Sequence, residues 1–70
     1  MMSKERYTSG QIRQLRVAKG MTPTQFAVHL GVCENTVRRW EIGDRHPYPK
    51  TQQLLYHIYK RLCIEGFSWL

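Results

Sequence analysis

The chain has 70 residues, enough for one small domain but too few to enclose a sizeable substrate pocket. A hydrophobic content of 41% argues against disorder, and a net charge of +6 at pH 7 favours an anionic partner, nucleic acid first. No segment is apolar and long enough to cross a bilayer or to act as a signal peptide, so we expect a cytoplasmic protein without a membrane partner.

The positive charge is unevenly distributed along the chain. Residues 1–20 hold five basic residues and one acidic residue, whereas residues 21–47 hold three of each. We expect a single domain over residues 1–70, with residues 1–7 as a flexible N-terminal segment. Attraction to phosphates should come mainly from the flanks of the central region. Four basic residues could reach flanking phosphates, although a solvated helix surface is an equal alternative: Lys4, Arg6, Arg13 and Lys19.

The first helix is predicted from Ser9 to Lys19. Thr8 and Gln11 can form a capping box, in which each side chain accepts a hydrogen bond from the backbone N–H group of the other residue. Gly20 can end the helix in the left-handed conformation. The apolar positions repeat at helical spacing and should face the core: Ile12, Leu15 and Ala18, with Val17 at the edge.

The second helix has the clearest start signal in the sequence. Thr22 and Gln25 can form another capping box, and Pro23 occupies the first helical position, where its missing N–H group has no partner to lose. Gly31 should end this helix. Its inward face should hold Phe26, Ala27 and Leu30.

The third helix is predicted from Glu34 to Glu41. Cys33 stands at the capping position, where a Ser or Thr hydroxyl would be a better acceptor than a thiol. Val37 and Trp40 lie three residues apart and should point inward, with Ile42 as a further core candidate. Because Trp40 is in phase with Val37, we expect it in the core rather than stacked on a base.

The fourth helix should begin at Pro49, after a loop over residues 44–48, and run to Ile64. Gly66 follows its end. Its predicted buried face consists of Leu54, Leu55, Ile58 and Leu62. Since no segment alternates with a period of two, we expect no sheet. The fold class is therefore all-α, a compact bundle of four or five short helices.

Three residues indicate a helix-turn-helix. Such a unit needs a small residue where its helices cross, a glycine in the turn for positive φ, and a β-branched residue that fixes the second helix. Ala27, Gly31 and Val37 meet these needs at spacings of four and six residues.

With these residues the sequence resembles the Cro/C1-type (Xre-like) helix-turn-helix family of phage repressors and bacterial regulators, with its lambda-repressor-like fold. The resemblance covers residues 11–62. The run over residues 47–51 also resembles the DNA-binding domains of some toxin–antitoxin antitoxins. The likeness to the larger family rests on Leu15-Arg16, Lys19-Gly20, Phe26-Ala27, Leu30-Gly31-Val32, Val37 and Trp40-Glu41-x-Gly43 followed by Pro47.

The resemblance implies an ion pair between Arg16 of the first helix and Glu41 at the end of the third. Arginine offers a two-pronged donor that lysine lacks, so such a pair would tie the two helices together. The alternative is two solvated charges. With the residues above, the proposed structural set is Arg16, Glu41, Ala27, Gly31, Val37 and Trp40.

The resemblance also implies that the third helix enters the major groove of double-stranded DNA. Asn can bind adenine, Arg guanine, and Glu the amino group of cytosine. The predicted base-reading residues are Glu34, Asn35, Arg38 and Arg39. The predicted backbone contacts are Thr24, Gln25, Thr36, Arg45, His46 and Lys50. The alternative is an ordinary polar surface, with Arg38 merely paired to Glu34.

The C-terminal residues suggest a surface for a second copy of the chain. Phe67, Trp69 and Leu70 are large and apolar, and we expect them at a homodimer contact or, equally, folded back onto their own core. Tyr56 and Tyr59 could belong to either surface.

The sequence offers no catalytic or metal-binding pattern. Histidine and cysteine spacings match no zinc motif, and there is no Gly-rich phosphate loop, so we expect no enzyme, no metal and no cofactor. We predict a sequence-specific transcriptional regulator, a repressor that binds an inverted repeat in double-stranded DNA as a homodimer. The alternatives are a protein-interaction module, with a partner such as a toxin, and a sequence-independent nucleic-acid binder.

Overall fold

A computed structural model describes residues 7–70; Lys4 and Arg6, two of the expected flanking phosphate contacts, lie outside the described residues. This part of the chain is all-helical, as predicted. It forms α1 (Ser9–Ala18), α2 (Pro23–Leu30), α3 (Glu34–Glu41) and α4 (Pro49–Ile64). α1 ends one residue earlier than expected, since Lys19 is its C-cap. None of these helices is long and apolar enough to span a bilayer.

The helix ends form largely as their sequence signals predict. Thr8 and Gln11 make a reciprocal capping box with hydrogen bonds of 3.1 and 3.0 Å. Thr22 and Gln25 repeat it at α2 with bonds of 3.2 and 3.0 Å. Cys33 gives α3 no side-chain cap. The position of α3 therefore depends on its packing against the other helices rather than on its own first turn.

The core draws apolar side chains from all four helices. α3 packs against α1 and α2, and α4 packs against α1. Pro47 in the loop before α4 is also buried. Since α3 is held from two sides, its remaining face is left toward solvent. The buried hydrophobic residues of the core are Ile12, Leu15, Phe26, Ala27, Leu30, Val37, Trp40, Leu55, Ile58 and Leu62.

Three residues predicted to face the core are exposed instead. Leu54 is 41% exposed because it lies about 100° around the helix from Leu55, outside the buried stripe. Ile42 is 78% exposed, since it follows the last residue of α3 and points away from the side of Trp40. Ala18 is exposed at the last position of α1.

The C-terminal residues fold back onto the domain. Tyr59 and Trp69 stack with ring centres 5.2 Å apart, and Phe67 meets Trp69 edge-on at 5.1 Å. Tyr7 also contacts Trp69, at 6.2 Å, and packs against the core. Tyr7 is the one residue of the segment expected to be flexible, residues 1–7, that the structure describes, and its ring gains from burying its apolar body. We call Tyr7, Tyr59, Phe67 and Trp69 the aromatic cluster.

Candidate nucleic-acid interface

The turn between α2 and α3 fixes the angle at which α3 leaves the core. Gly31 adopts a φ of 75°, and the backbone N–H of Val32 donates to the carbonyl oxygen of Ala27 over 2.9 Å. Ala27 is buried and has no side chain beyond Cβ, so the helices can approach closely there. Val37 and Trp40 anchor α3 in the core. The opposite side of α3 is consequently presented outward.

Arg16 and Glu41 join α1 to the end of α3. The Arg16 Nε and Nη2 atoms donate to the two Glu41 carboxylate oxygens at 2.7 and 3.0 Å, and Nη1 donates to the carbonyl oxygen of Met21 at 3.0 Å. The side chains are only 13% and 12% exposed. The hydrogen bond to Glu41 is the main cause that raises the pKa of Arg16. The predicted pair is therefore present and shielded from solvent.

Glu34, the first residue of α3, is held by donors from two helices. The Thr24 hydroxyl of α2 donates to Glu34 Oε1 over 2.6 Å. Arg38 Nε and Nη2 both reach the other oxygen, Oε2, at 2.8 and 2.7 Å. The Thr24 hydroxyl, followed by Arg38, lowers the pKa of the Glu34 carboxyl. The i, i+4 pairing offered as an alternative to base reading thus occurs in the structure.

Asn35 and Arg39 are the least restrained of the predicted base-reading residues. Both are exposed on α3. Among residues 7–70, the Arg39 guanidinium has only a long ion pair, 3.7 Å from its Nη1 to Asp44 Oδ2, and the Asn35 side chain has no hydrogen-bond partner. Their polar groups are free to meet a ligand without first breaking a short contact.

An open concavity of about 500 Å³ lies between α3, the following loop and the start of α4. Five predicted contact residues line it: Asn35, Thr36, Arg39, Arg45 and His46. The loop therefore brings two basic side chains to the same surface as the free face of α3.

The concavity also includes residues that the sequence analysis missed. Tyr48 and Thr51 flank the start of α4, and Tyr48 is exposed with a phenolic group that can donate to phosphate. Their position next to a proline-stiffened loop was the only available signal. Lys50 is exposed in the first turn of α4 but does not line the concavity. Gln25 is exposed, yet its amide oxygen is already used by the capping box.

The residues predicted at a dimer contact do not line this concavity. Phe67 and Trp69 are half-buried in the aromatic cluster, whereas Leu70 is fully exposed. Cys33 and Cys63 are free and exposed, and residues 7–70 contain no group of three side chains suited to a metal ion.

Comparison with known proteins assigns the family. A family model described as a helix-turn-helix domain matches residues 9–60, well over half of the chain. No curated protein and no solved structure gives a significant match. The matched residues contain α1 to α3 and most of α4, including the turn at Gly31 and the outward face of α3. The chain therefore belongs to the helix-turn-helix domain family of the Xre/Cro-like type, a family of DNA-binding regulators.

Proposed function

We propose that this protein is a transcriptional regulator that binds a specific sequence in double-stranded DNA through the outward face of α3. The observation that carries the proposal is the arrangement of α3: Val37 and Trp40 are buried, while Asn35, Arg38 and Arg39 are exposed on the other side. This side is neither covered by the described part of the chain nor apolar. A short helix of this kind fits the major groove and can present amide and guanidinium groups to base edges.

Backbone contacts are assigned to the rim of the α3 face. Thr36, Arg45 and His46 share the concavity with Asn35 and Arg39, and Tyr48 lies at its edge. Lys50 is exposed close by at the start of α4. Such side chains would bind phosphates, set the register of α3 and make the affinity depend on salt.

The regulatory part of the proposal is repression by occlusion of a promoter. One short helix reads few base pairs, so two copies on an inverted repeat, with half-sites about one helical turn apart, would supply the affinity that one lacks. Leu70 is the exposed member of the residues expected at a dimer contact. The protein would act in the cytoplasm of a bacterium, where the DNA is, without catalysis.

Selection of duplexes from a random pool, followed by mobility-shift titration, tests the proposal. The unaltered protein should enrich one sequence with twofold symmetry. Asn35→Ala and Arg39→Ala should each weaken binding to that duplex by about 1–3 kcal/mol and change binding to a scrambled duplex little. Arg45→Ala should weaken both and reduce the salt dependence by about one phosphate contact.

Other outcomes identify the competing functions. Equal losses on selected and scrambled duplexes for Asn35→Ala and Arg39→Ala would reject base reading and indicate sequence-independent binding. No binding to any duplex would favour a protein-interaction module that reuses the fold. An asymmetric selected site bound by one copy would reject the homodimer.

A further inference from the structure

Glu34 occupies the start of α3, a position from which it was expected to accept a hydrogen bond from cytosine. In the structure each of its carboxylate oxygens already has a donor. Thr24 binds Oε1 from α2, and Arg38 binds Oε2 from the next turn of α3. These three residues form a continuous hydrogen-bonded chain, which we call the Thr24–Glu34–Arg38 chain.

The way Arg38 is bound leaves part of its guanidinium group available. Nε and Nη2 contact Glu34, so one side of the planar group is occupied. A guanidinium group has five N–H donors in a fixed plane, and the edge formed by its two terminal nitrogens retains free hydrogens. That edge is the one that can pair with O6 and N7 of a guanine. Arg38 can therefore remain bound to Glu34 and still meet a base.

We propose that Glu34 is a positioning residue, which, together with Thr24, holds Arg38 in the orientation that reads a guanine. The inference rests on the proposed function and specifies how one base would be chosen. Thr24 acts through Glu34 and does not itself have to touch DNA. In this proposal Glu34 orients Arg38 and does not itself read a cytosine.

Preorganisation is the physical reason for this role. An arginine side chain has many rotamers, and fixing it upon binding costs conformational entropy. Arg38 is 60% exposed and Glu34 39%, so the pair contributes little to folding while water surrounds it. Contact with a duplex would displace that water and strengthen the same hydrogen bonds. The Thr24–Glu34–Arg38 chain, which contributes little to folding in the free protein, would then influence which base pair the protein prefers.

The decisive variant is Thr24→Val, because it removes the hydroxyl while conserving charge and approximate shape. After selection of a duplex by the unaltered protein, dissociation constants are measured for that duplex and for duplexes with each base pair changed in turn. Arg38→Ala identifies the guanine, since discrimination at that position should fall by about 10–100-fold. Thr24→Val should reduce discrimination at the same guanine by about threefold to tenfold and leave the other positions unchanged. Thr24→Ser should restore it.

Glu34→Gln provides the second measurement, with Glu65→Gln as its charge-matched control. Glu65 is exposed beyond the end of α4, and no hydrogen bond or ion pair of its side chain is found among residues 7–70. Glu34→Gln should lower discrimination at the Arg38 guanine, whereas Glu65→Gln should change every duplex alike. Circular dichroism melting of each variant establishes that it is folded under the binding conditions.

Three results would overturn the inference. If Thr24→Val weakened binding to all duplexes equally, Thr24 would be only a contact to the DNA backbone. If Glu34→Gln abolished the preference for a cytosine at another base pair and left discrimination at the guanine read by Arg38 unchanged, Glu34 would itself read a base. If Thr24→Val and Glu34→Gln both left the preference for guanine unchanged, the Thr24–Glu34–Arg38 chain would have no part in recognition. If the unaltered protein enriches no sequence, the proposed function itself fails. In the three results above, by contrast, the unaltered protein still selects a duplex, and only the positioning role of Glu34 fails.

Discussion

At the scale of single residues, two ion pairs of similar chemistry differ in their surroundings. Arg16–Glu41 is shielded from solvent and joins α1 to α3 through two residues 25 positions apart in sequence, while Arg38–Glu34 is exposed within one helix. Removing one partner of a shielded pair leaves the other charge without compensation. Removing one partner of an exposed pair lets water take its place.

We therefore expect Glu41→Ala to reduce the free energy of unfolding by about 1–3 kcal/mol, which chemical denaturation can measure. Arg16→Lys should also destabilise, because lysine cannot supply the three-way set of bonds to Glu41 and Met21. Arg38→Ala is the matched control and should have little effect. Equal effects of Glu41→Ala and Arg38→Ala would contradict the distinction between the two pairs.

The ionisation of Glu34 can be observed directly in the free protein. Carboxyl-carbon NMR should give it a pKa below the ordinary value for glutamate, mainly because the Thr24 hydroxyl and then Arg38 stabilise the charged form. Since the folded-state pKa is lowered, the associated stability is present above the unfolded-state pKa and is lost as pH falls through the folded-state value. Thr24→Val should raise the pKa toward the ordinary value, with Thr24→Ser as control. An unaltered pKa in Thr24→Val would show that this hydrogen bond is not kept in solution.

At the scale of helices and turns, Gly31 provides the clearest separation of backbone from side-chain effects. Its φ is 75°, yet a Cβ atom added there would meet no other heavy atom within 4 Å. Gly31→Ala should thus destabilise by about 1 kcal/mol through backbone strain alone. Gly10 is equally open but lies within α1 without a positive φ. Gly10→Ala should therefore leave stability unchanged or raise it by about 0.5 kcal/mol.

Thermal unfolding of both variants measures the contrast. Asparagine tolerates the left-handed region better than alanine, so Gly31→Asn should recover part of the loss. A melting temperature of Gly31→Ala at or above that of the unaltered protein would show that the turn can relax out of its left-handed conformation.

Helix boundaries were predictable because their signals are local. Capping boxes, prolines and glycines lie within a few residues of the ends they determine, and the bounds of α2, α3 and α4 agree with the structure. Exposure was predictable only for the middle of each apolar stripe. Leu54 and Ile42 lie at stripe edges, where the position of a neighbouring helix decides whether a side chain is covered.

The candidate site was predictable to a similar extent. Helical spacing correctly indicated that Asn35 and Arg39 share an exposed face, opposite Val37 and Trp40. It did not reveal that the Thr24 hydroxyl donates to Glu34 across the turn. Nor did it reveal that Tyr48, at the end of the loop before α4, lines the same concavity as α3. Those neighbours depend on interhelical angles, which emerge from packing and have no local signal.

At the scale of the whole molecule, the C-terminal aromatic residues could stabilise their own domain or a contact between two copies of the protein. The ring of Trp69 contacts Tyr7, Tyr59 and Phe67 within the same chain. These contacts compete with the role first considered for Trp69 at a homodimer surface. A residue already committed to its own domain stabilises the monomer, while one committed to a second copy makes stability depend on concentration.

We expect Trp69→Ala to destabilise the fold by about 1–2 kcal/mol, because it removes a stacked and an edge-on ring contact together with partly buried apolar area. For a domain of this size the melting temperature should fall by roughly 4–8 °C per kcal/mol. The fall should be the same across a wide range of protein concentrations. Leu70→Ala is the control: Leu70 is fully exposed, so the substitution should leave the melting temperature of the monomer unchanged.

Sedimentation analysis of the same variants distinguishes the two roles. If the aromatic cluster serves only its own domain, Trp69→Ala will lower the melting temperature without changing the distribution between one and two copies. A shift of that distribution toward single copies, accompanied by a concentration-dependent melting temperature in the unaltered protein, would instead assign Trp69 to the contact between copies. Loss of dimers in Leu70→Ala alone would place the contact at the exposed end of the tail, beside the cluster and independent of it.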